Sequence, residues 1–177
     1  MSWCIRLQRG KLAQARERCD ELIALGDKLR EGSEEPYARA IAGLCTYAMD
    51  DDSASLDTAL ADLRVADAKH RLAYILTRAA LIDSERGRTE AATQRATEAL
   101  SYATLLERAT EMLIANAVLS HEHGTLGDRA RAASFRREVE RIRVDGASVW
   151  THALADKLTS RNPRAERAER QRPTEIQ

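Results

Sequence analysis

The chain has 177 residues with 28 basic and 28 acidic side chains, so its formal net charge is zero. This length is enough for one hydrophobic core, and a neutral chain lacks the basic excess of a nucleic-acid-binding protein. No apolar run approaches the ~20 residues that a membrane span requires, and the N-terminus does not resemble a signal peptide. We therefore expect a cytoplasmic protein with no direct nucleic-acid or membrane contact.

Prolines stand only at positions 36, 163 and 173, so residues 37–162 contain none. Proline disrupts helix interiors, whereas Ala, Leu, Arg and Glu favour helices. No alternating runs of β-branched residues indicate strands. Because aromatic residues are only 4% of the chain, the core must consist mainly of Ala and Leu, which lets helices approach closely. The composition predicts an all-α protein.

The chain begins with a short apolar segment that ends at Gly10, followed by a predicted helix over residues 11–31. The first segment resembles the second half of a helix. It predicts either a fragment of a longer array or an apolar face that a second copy covers. The residues expected at such a homodimer contact are Trp3, Ile5 and Leu7.

Two further helices are predicted over residues 37–49 and 53–69, each with apolar residues at steps of three and four. The expected buried positions are Ala38, Ile41, Ala42 and Cys45 in the first helix and Leu56, Ala59, Leu60 and Leu63 in the second. The acidic turn at residues 50–53 lacks the twelve-residue ligand pattern of a calcium loop. Acidic residues at a helix N-terminus explain it better.

Residues 71–124 predict helix, glycine turn, helix, short link, helix and a second glycine turn. The turn residues, Gly87 and Gly124, lie 37 positions apart. An interval near this value with a helix on each side of the turn indicates helical-hairpin repeats. Measured from Gly10 and Gly87, small residues recur at matching offsets, as close packing inside a hairpin requires. These pairs are Ala15 with Ala92 and Cys19 with Ala96.

The last predicted hairpin helix covers residues 126–144 and is rich in arginine. Its expected buried residues are Ala130, Ala133, Val139 and Ile142, and its arginines are Arg129, Arg131, Arg136, Arg137, Arg141 and Arg143. A solvated face is favoured over an acidic partner, and no aromatic residues are interleaved to stack on bases. Residues 147–158 predict a capping helix and residues 159–177 a flexible polar tail, so the folded domain is expected to cover residues 1–158.

These turn glycines, small-residue offsets and intervals resemble the tetratricopeptide-repeat superfamily. The degenerate repeats are most similar to the helical arrays of bacterial LuxR-type ATP-dependent regulators and multidomain nucleotide cyclases. The resemblance implies a right-handed α-α superhelix of about four hairpins plus the capping helix. It also implies a non-catalytic scaffold whose first helices form a concave face for a protein or peptide and which gates an effector domain. A small-ligand-sensing domain is the alternative.

Four residues are expected on or near that concave face. Counting back from Gly87 places Tyr74, Arg78 and Glu85 there, and Asn116 falls at a similar place in the next hairpin. Arg78 and Asn116 are polar residues among apolar neighbours, so each needs a polar partner. A ligand carboxylate or a peptide backbone could supply it, and so could a hydrogen bond inside the array.

The sequence predicts no catalytic residue, no metal site and no cofactor. His121 and His123 are two residues apart and point away from each other on a helix. No nucleophile elbow positions a serine, and no phosphate-binding loop is present. The cysteines at positions 4, 19 and 45 match no zinc pattern, so reduced, buried thiols are expected.

Overall fold

The computed structural model describes residues 11, 14–21, 23, 34–142 and 149–160, and within these ranges the ordered secondary structure is helical. Residues 14–21 are helical and precede seven helices whose bounds are described. These helices are α1 (Glu34–Asp50), α2 (Ala54–Val65), α3 (Lys69–Glu85), α4 (Thr89–Leu105), α5 (Ala109–Leu126), α6 (Arg129–Ile142) and α7 (Val149–Ser160). The predicted all-α class is confirmed.

The helices pack as sequential antiparallel pairs. Helix α1 pairs with α2, α3 with α4, and α5 with α6, and α4 also packs closely against α5. The first helices of successive pairs lie beside one another, because α1 contacts α3 and α3 contacts α5. Helix α7 packs against α5 at the end of the array. This arrangement is consistent with an array of helical hairpins.

The core divides into two neighbouring clusters. One joins α1, α2 and α3 around Tyr47, Leu56, Leu63 and Ile75, and the other joins α5 to its flanking helices. Helix α4 contributes only alanines to the fully buried set, at Ala92, Ala96, Ala99 and Ala103. Small side chains on α4 let α3 and α5 approach closely on either side. The burial of Ala92 and Ala96 agrees with the close packing predicted at these two positions.

Four of the interhelical turns have the same backbone geometry. Their turn residues are Asp67, Gly87, Glu107 and Gly127, all with positive φ and following one another at intervals of 20 residues. In each turn the next residue donates its N–H to a carbonyl five positions back, as from Arg88 to Asp83 at 2.9 Å. The turn residue itself donates three positions back. These are Schellman caps, so each hairpin in this region advances by about 40 residues.

The turn predicted at Gly124 is wrong. Gly124 lies inside α5, which continues to Leu126, and Gly127 ends the helix in the left-handed conformation with φ of 85°. The capping bonds decide the matter, since Gly127 N–H donates to the Gly124 carbonyl. Gly124 and Gly127 stand three positions apart, and the interval from Gly87 alone does not show which of them ends the helix. The interval from Gly87 is therefore 40 residues and not 37.

A second correction concerns the buried face of α6. Val139 and Ile142 are buried as predicted, whereas Ala130 and Ala133 are exposed and Ala132 is buried instead. The buried stripe of α6 is thus rotated by a fraction of a turn from the predicted one. Alanine tolerates exposure and burial equally well, so it is a weak marker of a helix face.

Some of the remaining predictions concern residues that the structure does not describe. Trp3, Ile5 and Leu7 lie outside them, as do residues 161–177 of the predicted tail, although Thr159 and Ser160 belong to α7. Cys19 and Cys45 are free, buried thiols as expected, and burial raises the pKa of both. No helix within the described ranges is long and apolar enough to cross a membrane.

The left-handed turn residues yield a pair of opposite predictions. Glu107 holds a positive φ of 53° with a side chain that disfavours it, so Glu107→Gly should raise the free energy of unfolding by about 0.5–1 kcal/mol. Gly127→Ala should lower it by about 1–2 kcal/mol through backbone strain alone, because a Cβ there meets nothing within 4 Å. Urea unfolding followed by circular dichroism measures both, and equal signs would contradict the prediction.

Candidate functional site

A cluster of aromatic and arginine side chains crosses the neighbouring first helices α1, α3 and α5. The rings of Tyr37 on α1 and Tyr74 on α3 meet edge to face, with centroids 6.4 Å apart. The guanidinium of Arg71 lies 4.9 Å from the Tyr37 centroid, and that of Arg78 lies 3.9 Å from the Tyr74 centroid. We call this cluster, with Arg108 and Glu111 at the start of α5, the tyrosine face.

The register of α3 produces this arrangement. Residues three or four apart share one face of a helix, so Arg71, Tyr74 and Arg78 form a stripe along α3 while Leu72, Ile75 and Leu76 point into the core. Along this stripe α3 meets both other first helices, because Tyr74 contacts Tyr37 of α1 and Arg78 bonds Glu111 of α5. The stripe alternates aromatic and cationic groups, which is the arrangement that cation–π contacts stabilise.

Glu111 connects this stripe to α5. Its side chain is only 3% exposed, and it accepts hydrogen bonds from Arg78 Nη1 at 3.3 Å and from Arg108 Nε at 3.1 Å. At the other end of the face, Arg71 forms an ion pair with the exposed Glu34. Together with the neighbouring Glu34, the face therefore holds three guanidinium groups and two carboxylates.

Both tyrosine hydroxyls on this face remain open. Neither Tyr37 nor Tyr74 is fully buried, and their hydroxyls make no hydrogen bond to any residue that the structure describes. Burial raises the pKa of Tyr37 and the nearby Tyr74 hydroxyl raises it further, while three guanidinium groups, those of Arg71, Arg78 and Arg108, oppose the shift. The Tyr37 hydroxyl thus lies in the field of three arginines, two on α3 and one at the start of α5.

The four residues predicted on the concave face have different surroundings. Tyr74 and Arg78 both belong to the tyrosine face, and Arg78 finds an internal partner in Glu111. Glu85 is half-buried at the end of α3, away from this cluster in sequence. Asn116 is 3% exposed and donates to the Met112 carbonyl at 2.8 Å. For Arg78 and Asn116, the structure supplies the internal hydrogen bonds that the sequence left as one alternative.

The sequence analysis does not predict four members of the tyrosine face: Tyr37, Arg71, Arg108 and Glu111. A recurrent aromatic residue points to one of them, because Tyr37 and Tyr74 are 37 residues apart. Arg71 and Arg108 occupy different places relative to the turn residues Asp67 and Glu107, which are 40 residues apart, so no repeat signal pairs them. Glu111 has no such signal either.

A second polar cluster is buried between α1, α3 and α4. Asp83 is 0% exposed, accepts from Arg95 Nη1 at 2.7 Å and also accepts from the Tyr47 hydroxyl. The buried Tyr47 ring lies 5.1–5.5 Å from the guanidiniums of Arg86, Arg88 and Arg95. Burial and the bond to Asp83 raise the pKa of Tyr47. Tyr47 and Asp83 at the centre of this cluster are enclosed and bonded to one another, so the cluster serves to join helices.

The remaining polar motifs also have internal roles. Asp51 of the acidic turn forms ion pairs with Arg86 and Arg88, and Asp52 accepts the Ala54 N–H at 2.9 Å. Ser84 of α3 donates to the buried Glu122 of α5 at 2.5 Å, and His123 of α5 stacks on Phe135 of α6 with centroids 5.5 Å apart. Across the described ranges, no group of three or more His, Cys, Asp or Glu could hold a metal ion.

Several arginines of helix α6 form ion pairs with neighbouring carboxylates or donate a hydrogen bond to a carbonyl. Arg131 pairs with Asp128, Arg141 pairs with Glu138, and Arg136 donates to the Thr159 carbonyl of α7 at 3.4 Å. These contacts lie near the surface and contribute little stability individually. They agree with a solvated helix face.

Comparison with known proteins finds no counterpart for this chain: no protein-family model, no curated protein and no solved structure matches it.

Proposed function

We propose that this chain is a non-catalytic binding module that holds a protein or peptide partner on its first helices. The observation behind the proposal is the tyrosine face, which spans α1, α3 and α5 and combines partly exposed aromatic rings with arginines. Tyrosine and arginine are enriched at the energetic centres of protein interfaces, where large rigid side chains bury area at low entropic cost. In a chain with so few aromatic residues, two of the four tyrosines meet on this face.

The architecture that we propose is a right-handed superhelix of the tetratricopeptide type. Two features support it: the sequential antiparallel pairs and the contacts between successive first helices. The four Schellman turns at 20-residue intervals support a regular array of hairpins, each longer than the tetratricopeptide repeat of about 34 residues. In such an array each pair rotates slightly against the last, and the first helices line the concave side. The tyrosine face would then occupy the concave surface.

We also propose a regulatory role for the module, as the sensory array of a bacterial signalling or transcription-regulating protein. A partner that contacts three successive first helices would favour one curvature of the array over others. By differential affinity it would then shift the conformational equilibrium of an attached effector domain. This part of the proposal rests on the resemblance of the sequence to such arrays.

The proposal is tested by affinity capture from a lysate of the source organism, quantified by mass spectrometry. The variant Tyr37→Ala/Arg108→Ala removes one exposed ring and one cation while Arg78 still pairs with Glu111. We expect the captured partner to fall by about tenfold, because loss of an interface hot spot costs more than ~1–2 kcal/mol. Circular dichroism establishes that the variant remains folded.

Arg64→Ala is the matched control. Arg64 is 43% exposed and Arg108 is 40% exposed, and each forms one ion pair, but Arg64 bonds Glu98 on the second helices. Capture that falls equally in both variants, or in neither, would overturn the assignment of binding to the first helices. A metabolite that raises the melting temperature of the chain, with no partner protein present, would favour the small-ligand alternative.

A further inference from the structure

The charges on the tyrosine face do not balance. Arg71 pairs with Glu34, whereas Arg78 and Arg108 share the single carboxylate of Glu111. One positive charge is therefore left over on a surface that also presents two open hydroxyls. An excess of one charge at a defined place predicts the charge of the group that binds there.

The shared carboxylate leaves donors of both arginines unused. Glu111 is almost fully buried, and its contacts of 3.3 and 3.1 Å are longer than the 2.7–2.9 Å usual between a guanidinium and a carboxylate. Arg108 bonds Glu111 only through Nε, and its Nη atoms bond nothing within the described part of the chain. Arg78 likewise uses only Nη1 among its three nitrogens there. The 40% exposed side chain of Arg108 makes these donors accessible.

We propose, on the basis of the binding function above, that this face takes a carboxylate from an acidic peptide segment. The groups that hold it are the guanidiniums of Arg78 and Arg108 and the hydroxyl of Tyr37. A planar carboxylate matches the fork of a guanidinium group, and a phenol donates a further hydrogen bond to it. The two tyrosine rings then contact the neighbouring peptide atoms.

The size of the excess charge selects this ligand over more highly charged ones. A nucleic-acid backbone requires several unpaired cations along its path, and a phosphate ester carries nearly two negative charges at neutral pH. One surplus charge matches one carboxylate. The open form of the face, spread over three helices, suits a peptide better than a free small acid, which needs an enclosing pocket.

The test begins with selection of peptides from a random twelve-residue display library on the immobilised full chain. The best peptide is synthesised with a C-terminal amide, and each Asp or Glu is replaced in turn by Asn or Gln. Fluorescence anisotropy then gives Kd for the wild type, Arg108→Gln and Arg64→Gln. We expect one acid-to-amide change to weaken binding to the wild type by about tenfold, as for a charge-assisted hydrogen bond.

The coupling between protein and peptide variants is decisive. The same acid-to-amide change should hardly alter the Kd of the peptide for Arg108→Gln, but it should raise the Kd for Arg64→Gln as much as it does for the wild type. If peptides bind but no acid-to-amide change matters, or if the effect persists in Arg108→Gln, the carboxylate inference is overturned while the binding function stands. If the amidated peptide fails to bind while the same peptide as the free acid binds, the assignment to an acidic side chain is overturned. Failure to select any peptide overturns both the inference and the peptide-binding function.

Discussion

Replacing Arg95 with methionine is expected to lower the free energy of unfolding by about 3–5 kcal/mol, the usual cost of breaking a buried ion pair. Arg95 Nη1 donates to Asp83 at 2.7 Å, and Asp83 is fully buried between α3 and α4. Without Arg95, the nearest remaining cation is Arg88 at 3.9 Å. The Asp83 carboxylate would then remain away from water without a close counter-charge. Urea unfolding at neutral pH measures the loss.

A double variant separates charge from packing. Arg95→Met/Asp83→Asn removes both charges and keeps an acceptor for the Tyr47 hydroxyl, so it should be more stable than Arg95→Met alone. Arg64→Met, which breaks an exposed pair with Glu98, should cost less than about 1 kcal/mol. A loss below about 1 kcal/mol for Arg95→Met would mean that water or Arg88 compensates Asp83. If the double variant has a lower free energy of unfolding than Arg95→Met alone, packing and not charge dominates the stability of this cluster.

The helices were predictable because their signals are local. The absence of proline between residues 37 and 162 and the apolar spacing of residues such as Leu56, Leu60 and Leu63 indicate helix and buried face together. The turns were less predictable because two of the left-handed residues, Asp67 and Glu107, are not glycine. The backbone adopts that conformation at Asp67 and Glu107 because the capping hydrogen bonds require it. The side chains at these positions do not indicate it in the sequence.

The site was predictable only in part. Arg78 stands out as a polar residue among apolar neighbours, and counting back from Gly87 places Tyr74 near the same face of α3. Their partners, Tyr37 and Glu111, lie 37 and 33 residues away on other helices. Whether such residues meet depends on how the hairpins pack, which apolar spacing alone does not determine. The turn predicted at Gly124 lies three residues before the turn at Gly127, so counting back from it places Asn116 at a position that does not correspond to Arg78.

Replacing Gly43 with alanine tests how closely α1 and α2 approach. A Cβ at Gly43 would lie 2.8 Å from both the N and the Cα atoms of Leu56, closer than real Cβ contacts. Both are backbone atoms at the third residue of α2, so no side-chain rotation can relieve the overlap. The two helices would have to separate and loosen the cluster around Tyr47 and Leu60. We expect a loss of about 2–3 kcal/mol, near the upper end for overpacking.

The sign of this effect distinguishes the close approach from helix propensity. Alanine favours a helix interior over glycine by about 1 kcal/mol, so Gly43→Ala would stabilise α1 if the space were open. Adding Leu56→Ala should not rescue the variant, because the overlap involves the backbone of residue 56 and the truncation opens a cavity of its own. Denaturant unfolding of the two single variants and the double variant measures both effects. Increased stability of Gly43→Ala, or rescue by Leu56→Ala, would show that side chains and not backbones set the distance between α1 and α2.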